Sequence, residues 1–320
     1  MLFSFTAAAC GSGGEAFAFL KAGSAARPAA MGGAYAAVAD DAAGILYNPA
    51  GLVRLEALEI QADMYVMSFD RTLYFTAIAK PFTIGEAVYS TALSWHRYSP
   101  GKIERRSTSS PMPDSYIEEA ASLVTATLGT ALSESLYTGA NIKFFFHNIG
   151  AFSGFGLGFD AGAMLKLNRG FYAAFCIRDI ATDISWQSAN YTERVPQQIS
   201  AGLSNLFEGA FGFEGFSALL SGEIYYNSLG FFRFKAGAEL SRDKTFFLRA
   251  GFDGVPAAGA GIRLKASNVF SFTIDYAFVP DTIITGHFNH RVSLKADYVF
   301  PHFGVESAEK EGVKMRPEPW

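Results

Sequence analysis

Residues 269–279 read VFSFTIDYAFV. Phe270, Phe272, Ile274, Tyr276 and Phe278 alternate with Ser271, Thr273, Asp275 and Ala277, the period of a strand with two unlike faces. The same period governs 231–240, where Phe232, Phe234, Ala236, Ala238 and Leu240 alternate with Arg233, Lys235, Gly237 and Glu239. It recurs in 291–300, with Val292, Leu294, Ala296, Tyr298 and Phe300 against Arg291, Ser293, Lys295 and Asp297. One face is rich in large aromatics, and the other mixes charge with Gly and Ala. A soluble sandwich also alternates, but turns its polar face to water. Tyr and Trp near strand ends instead match the aromatic girdles of a membrane barrel, whose polar face encloses an interior.

Composition is consistent with this. The 320 residues include 31 Phe, 14 Tyr, 3 Trp and 32 Gly, and half are hydrophobic. Mean hydropathy is only +0.16, and outside the N-terminus no apolar run reaches the roughly 20 residues a membrane helix needs. A net charge of −4 offers no basic excess for nucleic acid. Two cysteines, Cys10 and Cys176, imply no disulfide framework.

Fourteen strand segments are read between 55 and 300. They are 55–67, 72–80, 86–97, 121–131, 134–147, 154–167, 170–179, 196–205, 216–227, 231–241, 244–252, 256–266, 268–279 and 290–300. An even number puts both ends on one side. The long polar connections 98–120, 180–195 and 280–289 all fall on the other, facing tight turns at Ser133, Asn168-Arg169 and Asp243, although 206–215 is longer. Short periplasmic turns opposite long external loops mark outer-membrane barrels. The fold expected is therefore all-β, a membrane-spanning antiparallel barrel of about 14 strands with an N-terminal hatch inside the lumen.

The rest of the chain lacks this alternation. Residues 1–18 resemble a secretory signal whose start is late: Leu2–Cys10 is apolar and Ala16-Phe17-Ala18 fits a cleavage site, but no Lys or Arg precedes Lys21. Lipidation at Cys10 is the alternative, against which Ala7 replaces the usual upstream Leu. Residues 19–54 are small and Ala/Gly-rich, with a helix expected around Ala29–Val38, interrupted by Asp40 and Asp41, and a turn at Asn48-Pro49. Such a segment is compact enough to plug a lumen. Residues 301–320 turn to charge and Pro and read as a disordered periplasmic tail.

The string Phe19-Leu20-Lys21, Ala29-Ala30-Met31-Gly32-Gly33-Ala34, Ala39-Asp40-Asp41-Ala42 and Asn48-Pro49-Ala50-Gly51-Leu52 resembles the start of the PorV/PorQ branch of the FadL-like outer-membrane proteins. The match is specific over about 35 residues and architectural elsewhere. FadL-type long-chain fatty acid transporters carry a similar Asn-Pro-Ala element in a hatch plugging a 14-stranded barrel. The resemblance implies a cell outer membrane channel for hydrophobic small molecules such as long-chain fatty acids, gated at Asn48, Pro49, Ala50 and Gly51. It implies no cofactor; partners are outer-membrane lipid, a fatty-acid-like ligand and the barrel assembly machinery. The PorV branch adds an alternative: an interaction or shuttle component of a type IX-like protein secretion system, docking through loop 98–120 with Lys102, Arg105 and Arg106.

The expected lumen charges are Glu59, Asp63, Lys143, Asp160, Glu223, Arg233, Lys235, Glu239, Arg249, Arg263, Lys265, Asp275 and Asp297. Their simplest role is a salt-bridge lattice. A sharper one groups Arg233, Lys235, Arg249, Arg263 and Lys265, on three consecutive strands, as a carboxylate-binding cluster. His287 and His290 fall in an expected external loop without partners for a metal site. Ser94 and His96 are an ordinary strand pair, and no catalytic motif is recognisable, so the chain reads as a non-enzyme. Gly154, Gly156, Gly158 and Gly162 lie in a strand and open no helix, which excludes a phosphate loop; they read as room for the plug.

Overall fold

A computed structural model describes residues 16–23, 25–107, 109, 111–187, 190–281 and 287–300. Most of the expected leader, Cys10 included, and the expected tail 301–320 lie outside the described residues. The alternating segments form β1 (Leu58–Val66), β2 (Thr72–Ile84), β3 (Ala87–Ser99), β4 (Ile103–Arg105), β5 (Ser115–Ile117) and β6 (Glu119–Ala131). There follow β7 (Leu136–Ile149), β8 (Phe152–Asn168), β9 (Phe171–Trp186), β10 (Tyr191–Arg194), β11 (Gln198–Glu208) and β12 (Phe216–Asn227). The last are β13 (Phe232–Arg242), β14 (Phe246–Phe252), β15 (Pro256–Lys265), β16 (Phe270–Pro280) and β17 (Phe288–Tyr298).

Each strand pairs antiparallel with its neighbours, and β17 closes on β1 from Leu58↔Tyr298 to Val66↔His290. The result is a closed 14-strand antiparallel barrel with β10 as an extra strand on the end of β9. β4 and β5 pair as a small hairpin within the long connection between β3 and β6. The two longest connections, 100–118 and 187–197, fall at one end, the long-loop end, together with 281–287, while the opposite end carries the turns 132–135 and 169–170 and the longer 209–215.

Several strand ends differ from the sequence reading, β2 reaching Ile84 instead of 80 and β11 reaching Glu208 instead of 205 among them. β9 runs to Trp186 instead of ending near 179, because β8 and β9 slip register between Leu157/Phe159 and Phe159/Ala161. Asp179 (φ 58) and Ala181 (φ 50) adopt left-handed backbone in that stretch, and the extra residues break the alternation on which the reading relied. His290 sits in β17, not in a loop, and its ring nitrogen lies 2.6 Å from the Tyr276 hydroxyl.

Burial is inverted relative to a soluble sheet. In β1, Glu59, Gln61, Asp63 and Tyr65 are buried while Ile60, Met64 and Val66 are exposed. In β16 and β17, Thr273, Asp275, Arg291, Ser293, Lys295 and Asp297 are buried, while Phe272, Ile274, Tyr276, Val292 and Leu294 face outward. An apolar belt of this extent around the whole wall is stable against lipid and not against water. Among the described residues no helix is long and apolar enough to cross a membrane; the crossing elements are strands.

Residues 25–57 occupy the interior. The helix α1 (Ala26–Ala30) is short and is followed by 3-10 turns at Ala42–Leu46 and Pro49–Arg54. The helix expected over Ala29–Val38 stops at Ala30 because Gly32 (φ +62) and Gly33 (φ +68) turn the chain through left-handed conformations. Met31 and Gly32 there press against the backbone of the wall.

Candidate functional site in the barrel lumen

The inner segment touches every barrel strand. α1 lies against β14, β15, β16 and β17, the turn at Ala42–Leu46 against β1, β2 and β3, and the turn at Pro49–Arg54 against β2, β3, β6, β7 and β8. Arg178 of β9 donates to the Leu46 carbonyl (2.8 Å), Ser204 of β11 to the Ala37 carbonyl (2.8 Å), and Glu223 of β12 and Glu239 of β13 bond the segment directly. A stretch in contact with all the strands of a closed ring lies inside it.

Two rows of wall glycines seat this plug. Gly129, Gly139 and Gly162 stand side by side on β6, β7 and β8. A Cβ on Gly139 would fall 2.5 Å from the Pro49 carbonyl carbon, and one on Gly162 would fall 2.1 Å from Asn48 Oδ1. Asn48 is held there: its Nδ2 donates to the carbonyls of Ala36 (2.9 Å) and Ala163 (3.3 Å), and its Oδ1 caps the turn by accepting from Ala50 N (3.1 Å). Across the lumen Gly237 of β13 faces Gly251 of β14. A Cβ on Gly251 would fall 2.1 Å from both Gly32 N and the Met31 carbonyl carbon. Of the glycines read as plug room, only Gly162 meets the plug. Gly154, Gly156 and Gly158 make room for Trp186, Ile184 and Thr182 of the adjoining strand.

Three wall glutamates tie the plug electrostatically, each shared between a wall cation and the plug. Glu59 accepts from Ala42 N (2.8 Å) and Lys295 Nζ (3.2 Å). Glu223 accepts from Tyr35 N (3.0 Å) and Ala36 N (2.9 Å), with Lys235 Nζ at 3.4 Å. Glu239 accepts two bonds from Arg27 (2.8 and 3.1 Å) and one from Arg249 (2.6 Å). Arg27 also donates to Asp40 (2.5 Å), Asp41 (3.1 Å) and the Tyr35 hydroxyl (3.0 Å). Burial alone would raise the Asp40 carboxyl, but the guanidinium groups of Arg27 and Arg54 outweigh it and hold the pKa at about 2. Buried charges are tolerable here because each is paired and hydrogen-bonded.

The five cations grouped from the sequence do not converge. Arg233 lies at the long-loop end of β13, paired to Asp253 (3.4 Å), while Arg263 and Lys265 lie at the opposite end of β15. Arg249 at mid-height is clamped between Glu239 and Asp275, 2.6 Å from each, and Lys235 is engaged by Glu223. These residues form parts of the lattice and no common anion pocket. Sequence reading missed Arg27, Asp40 and Asp41 of the plug, whose roles appear only once it is threaded through the barrel. It also left Arg291 and Lys295 out of the lumen set, although they share parity with Asp297 and alternation alone places them there.

A second buried group links β7, β8 and β9. Lys143 Nζ lies 2.8 Å from both Asp160 and Asp179, and the Asp179 N–H donates to Asp160 (2.8 Å). Two small voids are found beside the plug, of about 10 and 20 Å³. Each is close to the size of one water. Among the described residues no group of His, Cys, Asp and Glu is arranged to hold a metal. Residues 25–57 thus stand in the lumen against the wall strands.

No family profile and no curated sequence matches this chain. Solved structures do. The CymD monoaromatic hydrocarbon channel aligns at a TM-score of 0.59 and 14% identity, covering 88% of this chain and 99% of the channel. The toluene transporter TodX of Pseudomonas putida aligns at 0.60 and 11% identity over 87% and 98% of the two chains. A FadL homologue of Pseudomonas aeruginosa aligns at 0.53 and 11%, over 87% and 98%. The barrel fold of this protein is the one on which these FadL-like hydrophobic channels are built.

Proposed function

We propose that this protein is an outer-membrane channel for hydrophobic small molecules, of which long-chain fatty acids are one class, and that residues 25–57 are its gate. The observation that carries the reading is the plug itself, seated on glycine rows and tied by Glu59, Glu223 and Glu239 inside a wall whose outer face suits lipid. The plug stands in the lumen against every barrel strand, so passage along the lumen requires it to shift. Its hold combines the three shared carboxylates with an apolar cluster that joins Ile45, Leu52 and Val53 of the plug to Phe75, Leu123 and Phe145 of the wall, so a shift of the plug repacks that cluster as well as the ion pairs. The shared fold with channels named for toluene and other monoaromatic hydrocarbons supports the substrate class. On this reading the long-loop end faces the exterior, the short-turn end the periplasm, and Asn48, Pro49, Ala50 and Gly51 form the pivot of the gate. Vesicles with a lipopolysaccharide outer leaflet containing the protein should take up labelled oleate faster than empty ones. Equal rates contradict the proposal.

A second reading, a docking barrel of a type IX-like secretion system, draws on the PorV/PorQ likeness of residues 19–52 and on the β4–β5 hairpin in the long connection after β3. There Arg106 pairs with Glu104 (2.5 Å) and Lys102 lies over the Tyr116 ring (5.5 Å). Affinity purification from the native membrane separates the two: stoichiometric protein partners favour docking, co-purified lipid favours the channel.

A further inference from the structure

We infer that Arg291 is the head-group site for an amphiphilic carboxylate, and that residues Phe19–Ala22 occupy this site as an internal surrogate; the inference rests on the channel reading above. Arg291 points into the lumen from β17 and is only 4% exposed. Its guanidinium stacks over the Tyr65 ring at 3.9 Å. No carboxylate among the described residues pairs with it, and its Nε and NH1 have no hydrogen-bond partner. Among the described residues Arg178 shares with it the lack of an ion-paired carboxylate, but Arg178 leaves only Nε without a partner, whereas Arg291 leaves both Nε and NH1. A buried guanidinium lacking an anion is costly, and a carboxylate offering two oxygens matches its geometry.

The surroundings supply the rest of an amphiphile site. Arg291 faces Tyr65, Tyr65 faces Leu73 and Leu73 faces Tyr98, so these four form one row across β17, β1, β2 and β3. Three strand spacings make that row about 14 Å long. Phe75 and His96 lie opposite one another in the next row down, and both are fully buried. That row continues through Asp63 and Ser293 below Arg291, so the floor is polar beneath the guanidinium and aromatic at its far end, at Phe75 and His96. The chain's own residues now fill it in the corresponding order. The Phe19 ring stacks on Tyr98 (5.1 Å between centroids, 8° between planes) and meets His96 edge-on (5.4 Å). At the other end Arg291 NH2 donates to the Ala22 carbonyl. A ring at one end and an oxygen on Arg291 at the other reproduce the outline of a hydrophobic acid, with a neutral carbonyl in place of the carboxylate. An acid of matching length gains a charge-assisted bidentate contact the carbonyl lacks, and displaces the segment.

The test uses the whole protein in lipid nanodiscs, with decanoate and 1-decanol as probes that share a tail and differ in charge. The wild type should bind decanoate at least about tenfold more tightly than decanol. Arg291→Gln should abolish that preference, Arg291→Lys should keep part of it, and Arg233→Gln at the rim should leave it intact. Phe19→Ala should tighten decanoate binding by removing the resident ring, which keeps the inference testable should Arg291→Gln fail to fold. Equal binding of the two probes by the wild type, a preference surviving in Arg291→Gln, or unchanged decanoate affinity in Phe19→Ala each overturns it. Uptake assays separate this from the broader reading. Oleate uptake that is unaffected by Arg291→Gln leaves the channel standing and removes the anion site; decanoate binding without any uptake does the reverse.

Discussion

Asn48 and Gly162 are complementary: the amide oxygen of the plug residue fills the space a side chain on the wall residue would take, 2.1 Å from where its Cβ would stand. Asn48 cannot easily yield, since its amide bonds Ala36, Ala163 and Ala50 at once. Gly162→Ala should therefore displace the turn and destabilise the plug by about 1–3 kcal/mol, the usual cost of overpacking. Limited trypsin digestion checks this. Cleavage after Arg54, shielded in the wild type, should become fast in the variant while the barrel keeps its folded mobility on unheated gels.

Glu239 serves two cations at once, Arg27 of the plug and Arg249 of the wall. Glu239→Gln removes one anion from each, leaving Arg27 with Asp40 and Asp41 and Arg249 with Asp275, and should cost about 1.5–3 kcal/mol. Combining it with Arg27→Gln should cost less than the sum of the two single changes, because the Arg27–Glu239 contact is lost in each of them. Denaturant unfolding of the single and double variants measures the coupling; strict additivity contradicts a direct tie.

Asp40 links the plug to low pH. Its folded pKa, about 2, lies below the ordinary 3.8. The ionised form is thus favoured by folding, and the stabilisation is complete above pH 4 and lost as pH falls from 4 towards 2. The shift corresponds to about 2 kcal/mol. Asp40→Asn should lower stability at pH 7 and flatten the acid dependence between pH 4 and 2, measured by thermal melts across that range.

On the outer face, Ile274 lies at the middle of β16 and points away from the lumen. Ile274→Arg should destabilise the barrel in lipid by about 2–4 kcal/mol, as charge at mid-membrane does. If the outer face met water instead, the same change would be nearly neutral.

The barrel was legible because parity is a local signal: every strand of the wall corresponds to an alternating segment of the sequence. It blurred where parity was broken, at Asp179 and Ala181, since a bulge shifts later residues to the opposite face. The seats of the plug were not legible. That Gly129, Gly139 and Gly162 stand in one row depends on register between strands, which no single stretch encodes. The cation cluster failed for a related reason. Neighbouring strands run in opposite directions, so Arg233 near the start of β13 and Lys265 at the end of β15 share a face but lie at opposite ends of it. Arg291 was open to parity reasoning, but its two unbonded nitrogens, and the lack of an ion-paired carboxylate among the described residues, are visible only in three dimensions.

The most direct test of a gated lumen is to fasten the plug to the wall. The Ala37 Cβ lies 3.6 Å from the position of a Cβ on Gly202 of β11, within the range for a disulfide. Ala37→Cys with Gly202→Cys, in a background without the native thiols, should form that bond on oxidation. Oxidised protein in lipopolysaccharide-coated vesicles should then take up labelled oleate no faster than empty vesicles, and reduction should restore the rate. Uptake that is equally fast with the bond formed and broken would contradict the plug as gate.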